Sequence, residues 1–482
     1  MSNLNKSTKR NLVVDLDGTL VLTDMLFESL ILFIKFRSYR ILFLLMHLLR
    51  GKVEFKNFIS NEIEGLLNVK SLPYNQKLIK WIYDQKKNGA KVFLATATHE
   101  SIAKKIGLHL KLFDGIFATK NINLKGLVKK DCLISAFGKK GYEYVGNAKS
   151  DLPVWESSSK CYIVAPELGV LRAAQKINKV EIIFNSRSSY FFNLISSLRA
   201  HQWTKNILIF VPLFASHNFF DLHLLSQSVI AFLTFGLCAS SAYLTNDLLD
   251  LQEDRLHATK RLRPIASGQF PIFHAFMLVP ILLSISFCIS ALLLTKVYCL
   301  VLFFYFTLAV TYSLYLKRLA IFDVTTLAIL YITRIVAGST SNNLPISLWM
   351  FLFCMFIFLS LAFLKRYTEL FDQRQASSRE KSLGRGYFPS DFELLTSYGI
   401  ASGYISVLIL ALYFNDPLSI ALYKNQLWAL LSCPLLILWI SRMWLIAHRG
   451  EMHDDPVLFV IKDTTSIVIG ALFILCFVFA RI

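Results

Sequence analysis

The sequence predicts two domains: a soluble domain over residues 1–185, then an all-α bundle of nine membrane-spanning helices over 186–482. Three observations predict this. Hydrophobic residues make up 55% of the 482-residue chain and charged residues 17%, against about 25% charged in a soluble protein. Mean hydropathy is +0.50. The long apolar runs all follow residue 190, whereas 1–185 keep polar interruptions. Such a composition excludes a disordered chain, a secreted disulfide scaffold and an ordinary soluble enzyme.

A helix needs about 20 mostly apolar residues to span a bilayer. Nine stretches fit: 204–218, 225–246, 271–295, 297–315, 320–338, 345–364, 394–414, 426–447 and 463–481, the first being the shortest. Residues 1–10 are polar and basic, but the apolar run 11–14 that follows is too short for a signal sequence and meets Asp15. The first domain is therefore expected in the cytoplasm of a multi-pass protein of the cell membrane. Counted from inside, the connections 247–270, 316–319, 365–393 and 442–462 share that face. They hold 15 Lys and Arg, against Lys296, Lys424 and the terminal Arg481 on the other side. That is a positive-inside bias. The formal charge of +19 thus orients the protein and holds phosphates, and calls for no nucleic acid. Cys132 and Cys161 lie in the soluble part and six cysteines in apolar runs, without CxxC spacing, as reduced structural thiols do.

The carboxylates near the membrane gather on the inside connections. Asp247, Asp250 and Asp254 fall at i, i+3 and i+7 after Asn246, a spacing that shares one helix face. Hard oxygens in this pattern suit Mg2+, which keeps waters and takes substrate phosphate oxygens as further ligands. Arg255, Lys260, Arg261 and Arg263 follow, as cations for the rest of a polyphosphate. A solvated amphipathic helix end has similar charges, yet acids at a membrane boundary are costly to keep idle.

The run 246–268 resembles the first aspartate-rich motif of the UbiA superfamily, NDxxDxxxD with a basic-Pro stretch. Members are nine-helix intramembrane transferases that use Mg2+ and a diphosphate substrate. The resemblance covers about 195–482. It implies that Asp247, Asp250 and Asp254 bind Mg2+ and diphosphate, with Asn246 beside them. Aromatic prenyltransferases of this superfamily carry a second DxxxD motif near the fifth helix. Here Asp323 stands alone, because Leu327 occupies the position four residues on. The segment 312–338, with LRAHQWTKN at 198–206, FLKRYTEL at 363–370 and MHDDPVLFVIKD at 452–463, resembles instead the branch that includes decaprenyl-phosphate phosphoribosyltransferase. That branch moves 5-phosphoribose from 5-phosphoribosyl diphosphate (PRPP) to a polyprenyl phosphate.

PRPP is small, water-soluble and highly anionic, so it needs a wide basic pocket. Lys205, Lys260, Arg261, Arg263, Lys317, Arg318, Lys365 and Arg366 are the candidate cations, Arg gripping phosphate bidentately and Lys as a point charge. Each alone also marks topology. Asp323 either completes the metal or ribose site or is a helix N-terminal acid stabilised by the dipole. Arg334 lies 11 residues further along the fifth helix, about 16 Å of rise; it is an intramembrane site or it snorkels to the outer surface. His453, Asp454, Asp455 and Asp463 help bind ribose or metal, or cap the last helix.

The first domain has its own signature. The apolar run 11–14 ends in Asp15-Leu16-Asp17-Gly18-Thr19. This DxDGT resembles the first motif of the haloacid dehalogenase (HAD) superfamily, a Rossmann-like α/β fold. Thr96 after the strand-like run from Lys91, Lys125 in Leu124-Lys125-Gly126, and Gly146-Asn147-Ala148-Lys149-Ser150-Asp151 resemble the later motifs in order. The resemblance covers about 10–180. It implies that Asp15 attacks phosphorus and that Asp17 acts as general acid and then base, while Thr96 and Lys125 hold the phosphoryl group. Asp15, Asp17 and Asp151 serve Mg2+. One departure stands out: Asn147 sits where many members have an acid, which removes one negative charge. Residues 21–90 fall where HAD proteins carry a cap. Two apolar runs, 25–34 and 41–49, separated by Lys35, Arg37 and Arg40, predict a helical hairpin lying on the membrane surface.

The domain pairing suggests a pathway. Phosphoribosyl transfer leaves a 5′-phosphate on the lipid-linked sugar, and a tethered phosphatase removes it, helped by effective concentration. The sequence is also compatible with two alternatives: a prenyltransferase using a prenyl diphosphate and an aromatic or lipid acceptor, and a non-catalytic HAD domain.

Overall fold

The computed structural model describes residues 10–167, 169–184, 189–216, 218, 220–375, 385–416, 423, 425–452 and 455–481. The chain divides into two compact units. One contains residues up to Leu198 together with Leu244–Val279; the other contains Arg199–Tyr243 and Pro280–Ile482. The acid-rich segment thus packs with the N-terminal domain. The expected domain boundary at 185/186 lies outside the described residues.

In the first unit six strands form one parallel sheet: β1 (Asn11–Val14), β2 (Lys91–His99), β3 (Gly115–Thr119), β4 (Glu143–Gly146), β5 (Cys161–Val164) and β6 (Val180–Phe184), in the order β3-β2-β1-β4-β5-β6. Side chains alternate across a strand. Leu12 and Val14 accordingly face one core with Val92, Leu94, Ile102 and Ile106, while Val13 faces another with Leu133, Tyr144 and Trp155. The strand order reverses between β1 and β4, and a doubly wound sheet binds ligands at the carboxyl ends of the strands at that point. Asp15 and Asn147 follow those two strands directly. This is the α/β domain expected from the sequence.

The two apolar runs of the cap are helices α1 (Met25–Arg37) and α2 (Ile41–Arg50), followed by α3 (Lys52–Glu62). Asp24 caps α1, accepting from the Leu26 amide at 2.8 Å, a standard way to satisfy a helix's first donors. Met25, Ile31, Leu32 and Phe33 of α1 are buried, whereas α2 buries only Leu44 and exposes Leu42, Leu45 and Leu49.

Eight helices among the described residues are long and apolar enough to cross a membrane: Leu222–Leu249, Ile272–Leu293, Lys296–Leu314, Phe322–Asn342, Leu348–Phe371, Pro389–Phe414, Gln426–His448 and Thr464–Arg481. They make this a multi-pass membrane protein. The expected first span, 204–218, differs. It is a 3-10 stretch, Ala200–Phe210, running into the short helix Val211–Ala215. Lys205 and Asn206 are buried there on polar partners, and Pro212, which lacks an N–H, falls at the start of the short helix. The segment thus buries a paired Lys and Asn on one side while Ile207 and Phe214 stay exposed, and it lacks the continuous long helix of the other spans. In the second unit one core joins residues of the last five helices, including Leu364, Tyr367, Leu395, Ile440 and Met443. A smaller one joins Phe235, Ala239, Tyr298, Tyr305 and Ala337.

Candidate functional site

At the end of β1, the HAD-like motif folds as a tight loop. Gly18 has φ +72°, and a Cβ there would meet Asn147 Nδ2 at 2.3 Å, so only glycine lets the two loops close on each other. Asp17 faces β2: Thr96 Oγ1 and Thr98 Oγ1 donate to its Oδ2 at 3.1 and 2.8 Å, and the Met25 amide donates to Oδ1 at 2.7 Å. Asp15 faces a lysine that the sequence did not single out. Lys129 Nζ donates to Asp15 Oδ1 at 2.7 Å and to the Tyr144 hydroxyl at 2.9 Å, and lies 3.5 Å from Asp151 Oδ1. Tyr144 donates in turn to Asp151 Oδ1 at 2.9 Å, and the amides of Asn147 and Ala148 donate to its Oδ2. Burial, with Asp151 and Asp17 nearby, raises the Asp15 carboxyl to about 7 although Lys129 opposes it.

Burial, with Asp17 nearby, raises the Asp24 carboxyl to about 6, and the charge of Lys125, expected to hold the phosphoryl group, opposes this. Lys56 comes from α3 of the cap. Its Nζ donates to the Ala97 carbonyl at 2.6 Å and to Asn123 at 2.8 Å, and it feels Asp17 and Asp24. A cap cation thus lies within electrostatic reach of Asp17 and Asp24, and the sequence did not mark it.

The residues at this site fit Mg2+. Asn147 Oδ1 is buried without a hydrogen-bond partner, and the Asp15 carboxyl is held up by burial and by its acidic neighbours. Both are oxygen donors that a hard cation relieves. Among the described residues no three His, Cys, Asp or Glu side chains form a ready cage, and Mg2+ asks for none, since it uses one or two carboxylates with substrate phosphates. Asn147 in place of an acid keeps the oxygen and loses the charge.

The acid-rich segment follows the helix Leu222–Leu249. Helical bonding continues through its end: the Asp250 amide bonds the Asn246 carbonyl at 2.9 Å, and the Asp254 amide bonds the Asp250 carbonyl at 2.8 Å. The short helix Leu251–Leu256 carries Asp254. Asp247 and Asp254, seven residues apart, meet as the spacing predicts. Arg263 Nη1 sits between them, 3.2 Å from Asp247 Oδ1 and 2.5 Å from Asp254 Oδ2. The pair therefore already grips a cation. Burial raises the Asp254 carboxyl to about 6; Arg263 opposes this and Asp247 and Asp250 add to it. A donor set of buried carboxylates around a positive charge fits Mg2+. Asp250 is turned instead toward Lys35 of the cap, at 3.7 Å. Lys260 and Arg261 form a 3-10 turn in the same segment.

In the second unit the named residues fall into two clusters. Asp323, fully buried, accepts from Arg366 through Nε and Nη2, from the Tyr312 hydroxyl at 2.7 Å and from Arg385 Nη1 at 3.2 Å. Arg366 also bonds Glu369. The turn before Asp323 is strained: Ile321, β-branched, has φ +69°, and its amide is held by the Tyr387 hydroxyl at 2.9 Å. Such outliers persist only where the surroundings over-determine them. In the second cluster, Lys205 and Lys365 converge on one oxygen of Asp455, at 2.7 and 2.9 Å. The two ammonium groups hold that carboxyl far below the usual range despite its burial. Lys317 is buried on the turn 316–318, and Arg318 ends it.

Arg334 does not snorkel outward. It is buried, with Nε on Asn206 Oδ1 at 3.0 Å, Nη2 on the Tyr305 hydroxyl at 3.2 Å, and its guanidinium 5.2 to 5.4 Å from the rings of Phe235, Tyr305 and Tyr331. Asp463 is gripped by Arg442 at 2.5 and 3.0 Å and bonds the Ser466 amide at 2.8 Å, as a helix cap does. That grip lowers its carboxyl to about 2. His453 and Asp454 lie outside the described residues.

Residues 207–477 match the model of the UbiA prenyltransferase family, which is more than half of the chain. The chain belongs to the UbiA prenyltransferase family. A protein called y4nM from Sinorhizobium fredii is 36% identical over 98% of this chain and 91% of its own, so it shares both units. The decaprenyl-phosphate phosphoribosyltransferase of Mycobacterium tuberculosis is 32% identical over 42% of this chain and 68% of its own length. Among solved structures, a UbiA homologue from Archaeoglobus fulgidus bound to DMAPP and Mg2+ is 18% identical, with a TM-score of 0.44 over 61% of this chain and 98% of its own. A HAD family hydrolase, t0658, from Salmonella enterica is 16% identical, with a TM-score of 0.27 over 37% of this chain and 68% of its own.

Two acid sites whose residues fit Mg2+ predict one common behaviour. Mg2+ that binds only the folded chain stabilises it by mass action, about 2.7 kcal/mol at a hundred times the dissociation constant. Melting of the detergent-solubilised chain is therefore expected to move upward with added Mg2+. Asp15→Asn and Asp247→Asn should each remove part of the shift, and thermal scanning over a Mg2+ series checks it.

Proposed function

We propose that this UbiA-family protein transfers 5-phosphoribose from PRPP to a polyprenyl phosphate at the cytoplasmic membrane face, and that its HAD-like domain then removes the 5′-phosphate from the lipid-linked product. The observation that carries the reading is the Asp247/Asp254 pair closed on a cation, in a chain 32% identical to a decaprenyl-phosphate phosphoribosyltransferase over 68% of that enzyme. The lone Asp323, committed to Arg366 and Arg385 rather than to a second acid motif, favours this donor over a prenyl diphosphate.

In the transfer step the bond from ribose C1 to the diphosphate oxygen breaks, and its electron pair leaves on the diphosphate. An oxygen of the lipid phosphate forms the new bond to C1. Asp247 and Asp254, with Asp250 once it turns from Lys35, would hold Mg2+, which when bound would neutralise charge on the leaving diphosphate. Arg263, released from the acids it bridges, and Lys260 and Arg261 bind the diphosphate oxygens. Asn246 orients the first acid. Lys205, Lys365, Lys317 and Arg318 are the second unit's own candidate phosphate ligands, and the Asp323–Arg366 network holds the start of its helix rigid. No protein nucleophile is needed.

In the second step Asp15 attacks the 5′-phosphorus and forms an aspartyl-phosphate, while Asp17 gives its proton to the departing ribose 5′-oxygen. Asp17 then takes a proton from the water that releases inorganic phosphate. Thr96, Lys125 and Lys129 bind the phosphoryl oxygens, with Asp151 holding Lys129 in place, and Asp15, Asn147 and Asp151 would hold Mg2+. The exposed Leu42, Leu45 and Leu49 of α2, flanked by Arg40, His47 and Arg50, suit the headgroup layer. Changing the three leucines to Ser is expected to slow hydrolysis of the lipid-linked phosphate about tenfold or more while sparing soluble phosphoesters; equal loss on both would contradict this role.

The transferase reading is tested with purified protein, Mg2+, ribose-labelled PRPP and polyprenyl phosphate. Label in the lipid phase supports it. No label from an active preparation, with turnover of a prenyl diphosphate, replaces it by the prenyltransferase alternative.

A further inference from the structure

We propose that Glu28 and Lys35, on helix α1 of the cap, are positioning residues for the acidic segment 246–263, so that the N-terminal domain sets the geometry of the transferase's own acids. The inference rests on the transferase reading above.

Two charges buried on one short helix are costly unless each is paired. Glu28 and Lys35 are seven residues apart, hence on one face of α1, and are 1% and 5% exposed. Their partners all lie in the acidic segment. Glu28 Oε1 accepts from Arg255 Nη2 at 2.5 Å, with both side chains almost wholly buried. Lys35 Nζ lies 2.5 Å from Glu253 Oε1 and 3.7 Å from Asp250 Oδ1. Arg255 Nε in turn holds the Ala266 carbonyl at 2.9 Å. One buried guanidinium thereby ties α1 to both limbs of the segment that folds Arg263 back onto Asp247 and Asp254.

Packing extends the same clamp. The rings of Phe27 and Phe273 are 5.2 Å apart, and Gln252 Nε2 donates to the Leu66 carbonyl at 3.4 Å. Gly268, at φ +77°, lies so close to Leu22 that a Cβ would stand 2.9 Å from its carbonyl oxygen. Leu22 is five residues beyond Asp17, and α1 itself starts on the Asp17 carboxylate through the Met25 amide at 2.7 Å. The clamp is not tuned for stability alone: Arg255 Nη1 and Glu253 Oε2 are buried without hydrogen-bond partners. A guanidinium kept under-satisfied beside the motif suits geometric placement better than simple adhesion.

The test uses the full chain in detergent and two readouts, one of them independent of turnover. Amide hydrogen exchange of 250–263 is measured without metal, and donor KM and kcat are measured with Mg2+. Glu28→Gln and Lys35→Met are each expected to speed exchange in 250–263 and to raise donor KM, by about tenfold, the size of coupling between residues in contact. The expected change in kcat is small. Arg255→Gln combined with Glu28→Gln should be no worse than Arg255→Gln alone. Glu62→Gln, which breaks the Arg40 pair elsewhere in the cap, should leave both readouts at the wild-type value. Wild-type exchange in Glu28→Gln, or a fall in kcat that merely tracks the folded fraction, overturns the proposal. Faster exchange in a chain whose wild type shows no transfer from PRPP leaves the clamp standing and removes the transferase reading instead.

Discussion

Asp247→Asn is expected to abolish transfer of ribose label into lipid, lowering the rate at least about a hundredfold, the scale of losing one electrostatic partner of a developing charge. The reason is geometric. Asp247 and Asp254 share the Arg263 guanidinium, and the exchange isostere keeps the shape of this arrangement while removing one of its two charges. Folding should survive, because Arg263 keeps Asp254 and the segment keeps its clamp to the cap. A rate assay on folded, detergent-solubilised protein checks this. Transfer within a few-fold of wild type would contradict the role given to the acid pair.

Asp15→Asn is expected to remove phosphatase turnover about a thousandfold or more, as loss of a covalent nucleophile does, and to leave the transferase product carrying its 5′-phosphate. Lys129 retains Tyr144 and Asp151, so the loops at the ends of β1 and β4 should stay closed. The product is read by mass: lipid-linked ribose 5-phosphate should accumulate in the variant and not in the wild type. An unchanged product would mean that the N-terminal domain does not act on this lipid, and would favour a scaffold role for it.

Much of this was legible in the sequence because the chemistry is local there. DxDGT at the end of an apolar run, and three aspartates spaced for one helix face, each announce a site from neighbouring residues. The eight long helices were legible because an apolar run of that length has few other uses. What was hidden depended on pairing between distant residues. Lys125 lies before the helix Leu127–Phe137 and Lys129 within it, and only the docking of that helix on the sheet brings Lys129 to Asp15. Asp323 and Arg366 were named as separate ligands, yet they hold each other across two helices. The stretch 204–218 read as a span because its apolar count was high. Its buried Lys205 and Asn206 are instead committed to Asp455 and Arg334. Glu28 and Lys35 carry a signal of their own: two charges seven apart on an apolar helix require a partner, and it lies more than 200 residues away.

The most direct measurement uses PRPP labelled with carbon in the ribose and with phosphorus at the 5′-phosphate, incubated with wild-type protein, Mg2+ and a polyprenyl phosphate. Both labels are expected to enter the lipid together, and the phosphorus label then to leave as inorganic phosphate while the carbon stays. Carbon that never enters the lipid phase, in protein that binds Mg2+ and is folded, would contradict it.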